Sequence, residues 1–451
     1  METDSETSKS SQQSCQTAEV KERVSTIEAM INLVTVIIGA GILALPQLPR
    51  RCGWVLSALM LLISCSAVQE AALCLCRALI QTNSQESKVT TFEALGHRAL
   101  GWQGQLAVAV VANTFLLGVC SAYAALIGMQ LYNLTGVFNQ RAWVLIAYPI
   151  FVLLGLLPNL SALSKLVPLG MLAACLTGLM VIWSSLQDVE TWQSWKTGDL
   201  DMEIHDTWPS QPAALGSALA TCCAAFSFVP VVPAIIRDMR TPQHFPRALN
   251  GALAICGLLY LGVMLCGYYG YGNFIRDDIV ESLGQSPATF EEAMHQPISE
   301  WTGARRPWLR VFISILILIN IFLSMPLLAM AVFYSIESSF AHAVPGSWAN
   351  WAMRIGLLTG VVAVALAVPR FTVVFSFFSS LTAPCVSLIF PLLFADYILE
   401  KVSKCRRGYH AVLFIIAVLS NFRCAYMRAE VGRCRSTGTL QMSIEYRGLV
   451  W

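Results

Sequence analysis

Residues 32–46 read NLVTVIIGAGILALP, an apolar run that holds Gly39, Ala40 and Gly41 near its middle and ends at Pro46. The run is apolar enough to lie in a membrane helix. Two glycines in the middle of such a helix weaken it, and they leave backbone groups that lipid cannot hydrogen-bond. Such a break is tolerated where protein or a water-filled cavity satisfies the backbone, so we interpret it as the first sign of a binding site.

The whole chain has the composition of a membrane protein. Of its 451 residues, 56% are hydrophobic and 12% are charged, and the mean hydropathy is +0.62. The charged residues cluster between apolar runs of about 20 residues, the length that a helix needs to cross a bilayer. A formal net charge of +2 gives no reason to expect a nucleic-acid partner. We therefore predict an all-α integral membrane protein that is surrounded by lipid.

Ten apolar segments are long enough to be membrane-spanning helices. A short apolar run within residues 401–421 would be a weak eleventh, so we predict 10 to 11 transmembrane helices. Residues 1–24 are predicted to form a disordered cytosolic tail, and residues 422–451 a polar, basic tail. Lys and Arg are more frequent in the connections on the N-terminal side, which predicts a cytosolic N-terminus. The ten segments lie at about 29–49, 54–80, 104–132, 142–158, 162–186, 213–236, 248–272, 309–335, 350–368 and 371–399.

A second interruption lies in the sixth apolar segment, where Pro230 and Pro233 follow the sequence AAFSF at residues 224–228. Each proline lacks a backbone N–H and disfavours helical geometry at the residue before it, so the helix is predicted to break there. Breaks at corresponding places in two five-helix halves are typical of transporters built from inverted repeats, with a site at the middle of the membrane. The halves would cover about residues 25–186 and 213–400. The alternative is two unrelated helix kinks.

Four stretches occur in an order that a known family shares. They are Asn32-Leu33 with Gly39 to Pro46 and Gly53-Trp54, then Leu157-Pro158 with Leu163-Ser164-Lys165-Leu166, then Phe226-Ser227-Phe228 through Pro233 to Met239, Pro242 and Phe245-Pro246, and last Tyr268 to Gly272. With these stretches the chain, from about residue 25 to 400, resembles the amino acid/auxin permease family of eukaryotic transmembrane amino acid transporters.

The resemblance implies a leucine-transporter-like fold with eleven spans that moves small amino acids by alternating access. The carboxylate of the substrate would meet backbone N–H groups at the first break, and its ammonium would meet carbonyl groups at both breaks. The aromatic rings next to the second break would gate or shape the pocket. The implied residues are Gly39, Ala40 and Gly41 at the first break and Ala225, Phe226, Ser227 and Phe228 at the second.

The resemblance also implies coupling to a proton or sodium gradient. Sodium-coupled members tend to carry Asn where this chain has Thr35, and a hydroxyl group of the eighth span completes their ion site. Here that span offers Asn320 and Ser324. Thr35 and Ser324 supply oxygen atoms that suit a transient Na⁺, but the departure at Thr35 leaves proton coupling as the alternative. No resident metal or cofactor is expected.

Three further polar residues lie within predicted spans. Glu70 is the acidic residue of the second span, and an ionisable group inside a membrane is a candidate proton relay. Asn113 and Tyr123 of the third span carry hydrogen-bonding groups that are unfavourable against lipid, so we expect them to face the substrate cavity or a neighbouring helix. For Glu70 the alternative is a packed or solvated polar residue.

The sequence contains none of the common enzyme motifs, such as Gly-x-Ser-x-Gly or His-Glu-x-x-His, and we predict that the protein is not an enzyme. We predict a secondary active transporter for small or neutral amino acids, in the plasma membrane or a vacuolar or lysosomal membrane. One alternative is an amino-acid sensor of the same fold with little flux. The other is a truncated, non-transporting product, because the eleventh span is weak and the C-terminal tail is atypical.

Overall fold

The computed structural model describes residues 24–84, 91–156, 167–196, 205–209, 215–275, 279–283, 306–339, 347–399, 408 and 410–413. Nearly all of the predicted N-terminal tail, the polar C-terminal tail, most of the weak eleventh span and the 157–166 stretch lie outside these residues. The regular secondary structure within them is helical, apart from one isolated bridge between Val24 and Met239.

Ten helical spans follow one another in the predicted order through the described residues. Eight helices are long and apolar enough to cross a membrane, a bent pair makes a ninth, and the shorter tenth has 17 residues. We number them spans 1 to 10: Thr26–Ile37 with Leu48–Cys52, Trp54–Ser84, Phe92–Thr135, Gln140–Leu156, Val167–Lys196, Leu215–Ala225 with Val232–Asp238, Phe245–Tyr271, Pro307–Ser339, Trp348–Ala367, and Phe371–Pro384 continued by Cys385–Ile389 and Phe390–Ile398.

The outer faces of the spans carry the apolar side chains that a lipid environment requires. Leu62, Val110, Leu153 and Leu258 are each more than half exposed, although they are large and apolar. A soluble protein rarely exposes so much contiguous apolar surface. These faces therefore confirm the prediction of a multi-pass membrane protein.

Spans 1 and 6 are both broken, as the glycines and prolines predicted. The two parts of span 1 meet at an angle of 49°. In span 6 the first helix ends at Ala225, and a short 3₁₀ turn, Val229–Val231, leads into the second helix. Pro230 and Pro233 lie in the first turns of these new segments, where a missing N–H costs no hydrogen bond. The break itself therefore lies just before the prolines.

The N-terminal end of span 1 is joined to the C-terminal end of span 6. The Val24 N–H donates to the carbonyl of Asp238 at 2.8 Å, and the Arg240 N–H donates to the carbonyl of Val24 at 3.0 Å. These bonds form the parallel bridge between Val24 and Met239. The two broken spans are thus connected at one membrane face through backbone atoms alone.

Spans 3 and 8 are joined by hydrogen bonds at two levels. Ser314 donates to the Gln130 side-chain oxygen at 2.7 Å, and the Asn113 amide donates to the Ser335 hydroxyl at 3.0 Å. Hydrogen bonds between membrane helices are worth about 0.6 to 2 kcal/mol each. These contacts make spans 3 and 8 a connected pair beside the broken helices.

A buried ion pair connects span 9 to span 8. The Arg354 guanidinium donates to Glu337 Oε1 at 2.7 and 3.0 Å, and both side chains are at most 10% exposed. Arg354 also donates to the Gly155 carbonyl of span 4 at 3.2 Å, and its guanidinium lies 5.2 Å from the centre of the Phe333 ring. One arginine therefore connects three spans.

We expect Arg354→Met to lower the free energy of unfolding by about 3 to 5 kcal/mol, because it leaves the Glu337 carboxylate buried without its cation. The combined replacement Arg354→Met with Glu337→Leu removes both charges and is expected to cost much less. Thermal unfolding in detergent, followed by tryptophan fluorescence, measures both variants. Equal losses in the single and double variants would show that the ion pair itself is not what stabilises this contact.

Candidate functional site

The break in span 1 consists of two extended residues between two helical segments. Ile38 has φ −76° and ψ 92°, and Gly39 has φ −118° and ψ −168°. The chain then enters a 3₁₀ helix, Ala40–Ala44. At the end of the first helix the carbonyl of Ile37 accepts the N–H of Gly39 at 2.9 Å and keeps a second lone pair available.

The break in span 6 is held open by its own serine. The Ser227 hydroxyl donates to the carbonyl of Cys223 at 3.0 Å, and the Ser227 N–H donates to the carbonyl of Ala224 at 3.1 Å. These bonds satisfy the end of the first helix without continuing it. The next carbonyl, that of Ala225, faces span 7.

Tyr260 of span 7 lies between the two breaks. Its hydroxyl is 2.6 Å from the Ile37 carbonyl oxygen and 3.2 Å from the Ala225 carbonyl oxygen. Its ring is fully buried and packs against Phe226, with 5.2 Å between the ring centres. One phenol therefore contacts the C-terminal carbonyls of both half-helices.

The geometry gives this point a negative electrostatic character. Thr26–Ile37 and Leu215–Ala225 both end here, and the C-terminal end of a helix carries roughly half a negative charge. Because a phenol has one hydrogen, the carbonyls of Ile37 and Ala225 must share it. The site therefore attracts a cation or a group with several N–H donors.

The glycines of the first break allow close contacts with three other spans. A Cβ atom added at Gly41 would lie 3.3 Å from the Phe375 ring of span 10 and 3.5 Å from Cα of Ala225. A Cβ atom added at Gly39 would lie 2.7 Å from the Tyr123 hydroxyl of span 3. The structure thus brings the Tyr123 hydroxyl to the first break.

Span 10 places a serine hydroxyl next to the second break. The helix widens into a π-helical turn, Cys385–Ile389, and the Ser387 hydroxyl lies 3.1 Å from that of Ser227. π-Helical turns are rare and are often found at functional sites. Pro384, directly before the turn, is the only sequence signal for it that we recognise.

The sequence analysis did not identify Tyr260, Phe375 or Ser387. Tyr260 lies in an apolar stretch of span 7, and Phe375 and Ser387 lie in a span 10 that already contains several Ser and Thr residues, so plain packing is the expected role of each. The only signal for Tyr260 was a hydroxyl group in the middle of a long membrane helix, which requires a buried partner. That partner could not be found from the sequence.

Asn113 lies apart from the breaks. It is ten residues before Tyr123 on the same helix, which corresponds to about 15 Å. Its amide donates to Ser335, whose hydroxyl in turn donates to Glu93 Oε1 at 3.0 Å. The described contacts of Asn113 therefore form a hydrogen bond between spans 3 and 8.

The three residues considered for sodium lie around one stretch of span 5. Thr35 donates to the carbonyl of Ile31 at 2.8 Å and lies 3.3 Å from the Met171 sulfur. Ser324 donates to the Asn320 carbonyl at 2.7 Å and lies 3.1 Å from the Asn320 side-chain oxygen. A Cβ atom added at Gly170, beside Met171, would lie 3.7 Å from that same oxygen.

Glu70 belongs to a different cluster. Its carboxylate lies 3.4 Å from the Cys74 sulfur, and 3.8 Å from both Arg77 and His410. None of these contacts involves the residues of the two breaks. Among the described residues, the structure thus separates the candidate proton relay from the candidate substrate site.

The fold matches that of a known transporter. Mhp1, described as a nucleobase-cation-symport-1 family transporter, superposes in a closed, bromovinylhydantoin-bound conformation with a TM-score of 0.55 and 14% identity, covering 95% of this chain and 96% of Mhp1. Its inward-facing conformation gives a TM-score of 0.56 at 13% identity, covering 91% and 92%. This likeness confirms the predicted leucine-transporter-like fold with broken spans 1 and 6.

The sequence also matches characterised relatives. The amino acid transporter AVT1C of Arabidopsis thaliana is 26% identical over 88% of this chain and 68% of its own length. AVT3C of the same plant is 23% identical over 82% of each chain. The model of the transmembrane amino acid transporter protein family matches residues 22–430. This chain is therefore a member of the transmembrane amino acid transporter protein family.

Proposed function

We propose that this protein is a secondary active transporter that moves small or neutral amino acids by alternating access, driven by a proton or sodium gradient. The observation that carries the proposal is the meeting of two half-helix ends at Tyr260. Transporters with broken helices typically bind their substrate at such a break, and this chain belongs to an amino acid transporter family, which supports the proposal.

The ammonium group of the substrate would bind at the carbonyls of Ile37 and Ala225. An ammonium has three N–H donors, whereas the phenol of Tyr260 has one. The substrate would therefore satisfy both carbonyls and release the phenol to accept a hydrogen bond. The negative ends of the two half-helices favour the positive charge.

The carboxylate would bind at the start of the 3₁₀ helix, Ala40–Ala44. The first N–H groups of a helix have no partner within it, which leaves those of Ala40 and Gly41 for the substrate. The N–H of Gly39 donates to Ile37 and is not part of this proposal. The Tyr123 hydroxyl, which lies close to Gly39, would contribute to the same proposed carboxylate site.

The surroundings favour a small, uncharged side chain. Phe226 and Phe228 are fully buried beside the second break, and Phe375 reaches Gly41. Aromatic walls leave little space, and they do not compensate a buried charge. Neutral amino acids with short side chains are therefore the proposed substrates.

Alternating access would move spans 1 and 6 as one bundle. Their ends are joined by the bonds from Val24 to Asp238 and Arg240, while spans 3 and 8 are joined to each other. The solved conformations of Mhp1, one closed and one inward-facing, support such a cycle for this fold. The N-terminus would lie in the cytosol, and the membrane would be the plasma membrane or a vacuolar or lysosomal membrane.

Two sets of residues would serve the coupling ion. Thr35, Asn320 and Ser324 offer oxygen atoms near span 5 for sodium. Glu70 offers a carboxylate for proton transfer at the far side of span 2. The two sets lie in different parts of the structure, so they can be tested separately.

We expect labelled neutral amino acids to accumulate in proteoliposomes when a proton or a sodium gradient is imposed. Each gradient is applied alone, with choline replacing sodium and an ionophore collapsing the proton gradient as controls. Flux that is indifferent to both gradients would contradict coupled transport. Binding without flux would indicate the sensor instead.

We expect Gly41→Val to reduce uptake at least tenfold. The branched side chain would fill the approach to the backbone and collide with Phe375 and Ala225. Gly360→Val of span 9 is the matched control, because a Cβ atom there has open space around it. Uptake in radiolabel assays is normalised to the amount of inserted protein. Near-normal uptake by Gly41→Val would contradict the proposed carboxylate site.

We expect Tyr260→Phe to raise the KM for amino acid about tenfold, since losing one buried hydrogen bond costs about 1 to 3 kcal/mol. Tyr268→Phe is the control on the same helix, because its hydroxyl bonds Asp206 and Asn273 instead of the breaks. KM and maximal rate are measured separately in proteoliposomes. An unchanged KM with a lower melting temperature would make Tyr260 a purely structural residue.

A further inference from the structure

A second cluster of reactive side chains lies away from the broken helices. It joins Glu70 and Cys74 of span 2 to His410, which is more than 300 residues later in the chain. Their ligand atoms all lie within 4.8 Å of one another. We propose that Glu70, Cys74 and His410 bind a Zn²⁺ ion, in contrast to the expectation from the sequence that the protein holds no metal.

The distances between the three atoms suit tetrahedral zinc. The Cys74 sulfur lies 3.4 Å from Glu70 Oε1 and 3.5 Å from His410 Nε2, and the last two atoms lie 3.8 Å apart. Zinc bonds of about 2.0 to 2.3 Å give tetrahedral edges of about 3.3 to 3.6 Å. The two distances from the Cys74 sulfur therefore fit directly. The distance between Glu70 Oε1 and His410 Nε2 would have to shorten by a few tenths of an ångström.

A histidine that binds zinc through one ring nitrogen usually forms a hydrogen bond through the other, and His410 has such a partner. Asp396 Oδ1 of span 10 lies 3.3 Å from His410 Nδ1, the ring nitrogen that faces away from the cluster. A carboxylate on one nitrogen holds the proton there and leaves the other nitrogen free to bind metal. The imidazole is thus held in the tautomer and orientation that coordination requires.

Burial supports a permanent site. Cys74 and His410 are at most 2% exposed, and the Glu70 side chain is 17% exposed. Such burial shields the Cys74 and His410 ligand atoms from bulk solvent. The exposed fraction of Glu70 leaves an approach for the ion and for a water as fourth ligand, a common zinc arrangement.

The charges near the cluster would be balanced by a divalent cation. Three groups carry one negative charge each: the Cys74 thiolate and the carboxylates of Glu70 and Asp396. Arg77 supplies one positive charge at 3.8 Å from Glu70. Zn²⁺ supplies the remaining two. Binding would release the thiol proton of Cys74, as zinc sites do.

The ligand types select zinc over other common cations. Mg²⁺ and Ca²⁺ prefer sets made only of oxygen atoms, whereas sulfur and imidazole suit Zn²⁺. The bound ion would fasten residues 410–413 to spans 2 and 10, which makes it a structural staple between the C-terminal region and the bundle. A zinc-bound Glu70 could not also serve as the proton relay, so this proposal excludes that one role and leaves the rest of the proposed transport unaffected.

The test is the metal content of the full chain, purified in detergent through an affinity tag without histidine. We expect about one zinc per chain by elemental mass spectrometry, and less than about a fifth of this in Cys74→Ser and His410→Gln. Cys76→Ser is the matched control, because Cys76 is buried on the same helix and is not part of the cluster. It should retain its zinc.

Asp396→Asn tests the partner of the histidine. We expect 10- to 100-fold weaker zinc binding in competition with a chelator, with the ion still bound when zinc is in excess. Melting temperatures with and without zinc identify any variant that has misfolded. A gain in melting temperature on zinc addition should occur in the Cys76→Ser control and be absent from Cys74→Ser.

Cobalt provides a signature that is independent of stability. Co²⁺ added to the zinc-free protein should give the near-ultraviolet absorption of a sulfur–cobalt bond, and Cys74→Ser should abolish it. Three outcomes would overturn the proposal: no zinc above background in the wild-type chain, equal zinc in Cys74→Ser, or a different metal in its place.

Discussion

The structure depends on how two interrupted helices satisfy their backbone inside a membrane. Lipid offers no hydrogen bonds, so each carbonyl freed by a break must find a partner within the protein. Tyr260 supplies that partner to Ile37 and Ala225 at once, and Ser227 satisfies the carbonyl of Cys223. A single side chain of span 7 thus makes two separate breaks into one site. The Tyr260 hydroxyl has one hydrogen and faces two carbonyl oxygens. The two carbonyls at the centre of the protein can therefore accept further hydrogen bonds from another donor.

Much of this architecture is predictable from the sequence, for a physical reason. Glycines at 39 and 41 and prolines at 230 and 233 act on the backbone locally, so their effect does not depend on the rest of the fold. The ten spans follow equally directly from apolar runs of bilayer length. The second break lies only a few residues before the prolines that predicted it. The prolines themselves fall in the first turns of the segments after the break, where proline is tolerated.

The contacts between distant segments are not predictable in this way. Tyr260 occurs in an apolar helix without any local irregularity at its own position, and Pro384 indicates the turn that holds Ser387 but not its partner; only packing reveals which carbonyl or hydroxyl each one meets. His410 lies within residues 401–421, the run that the sequence presents as a weak eleventh span. Its pairing with Cys74 depends on three helices coming together. Sequence spacing therefore identifies where the chain bends, whereas the chemistry at the bend depends on side chains brought there from elsewhere.

The bridge between Val24 and Met239 has a consequence for how the protein can be observed. It consists of backbone bonds, so no side-chain replacement at either position removes it directly. A probe attached at Val24 is therefore coupled to span 6 as well as to span 1. A fluorophore placed there, paired with a second one at the exposed Trp348 position of span 9, would measure the displacement of both broken helices as one distance. One label at the Val24 bridge would then report on two helices in single-molecule measurements.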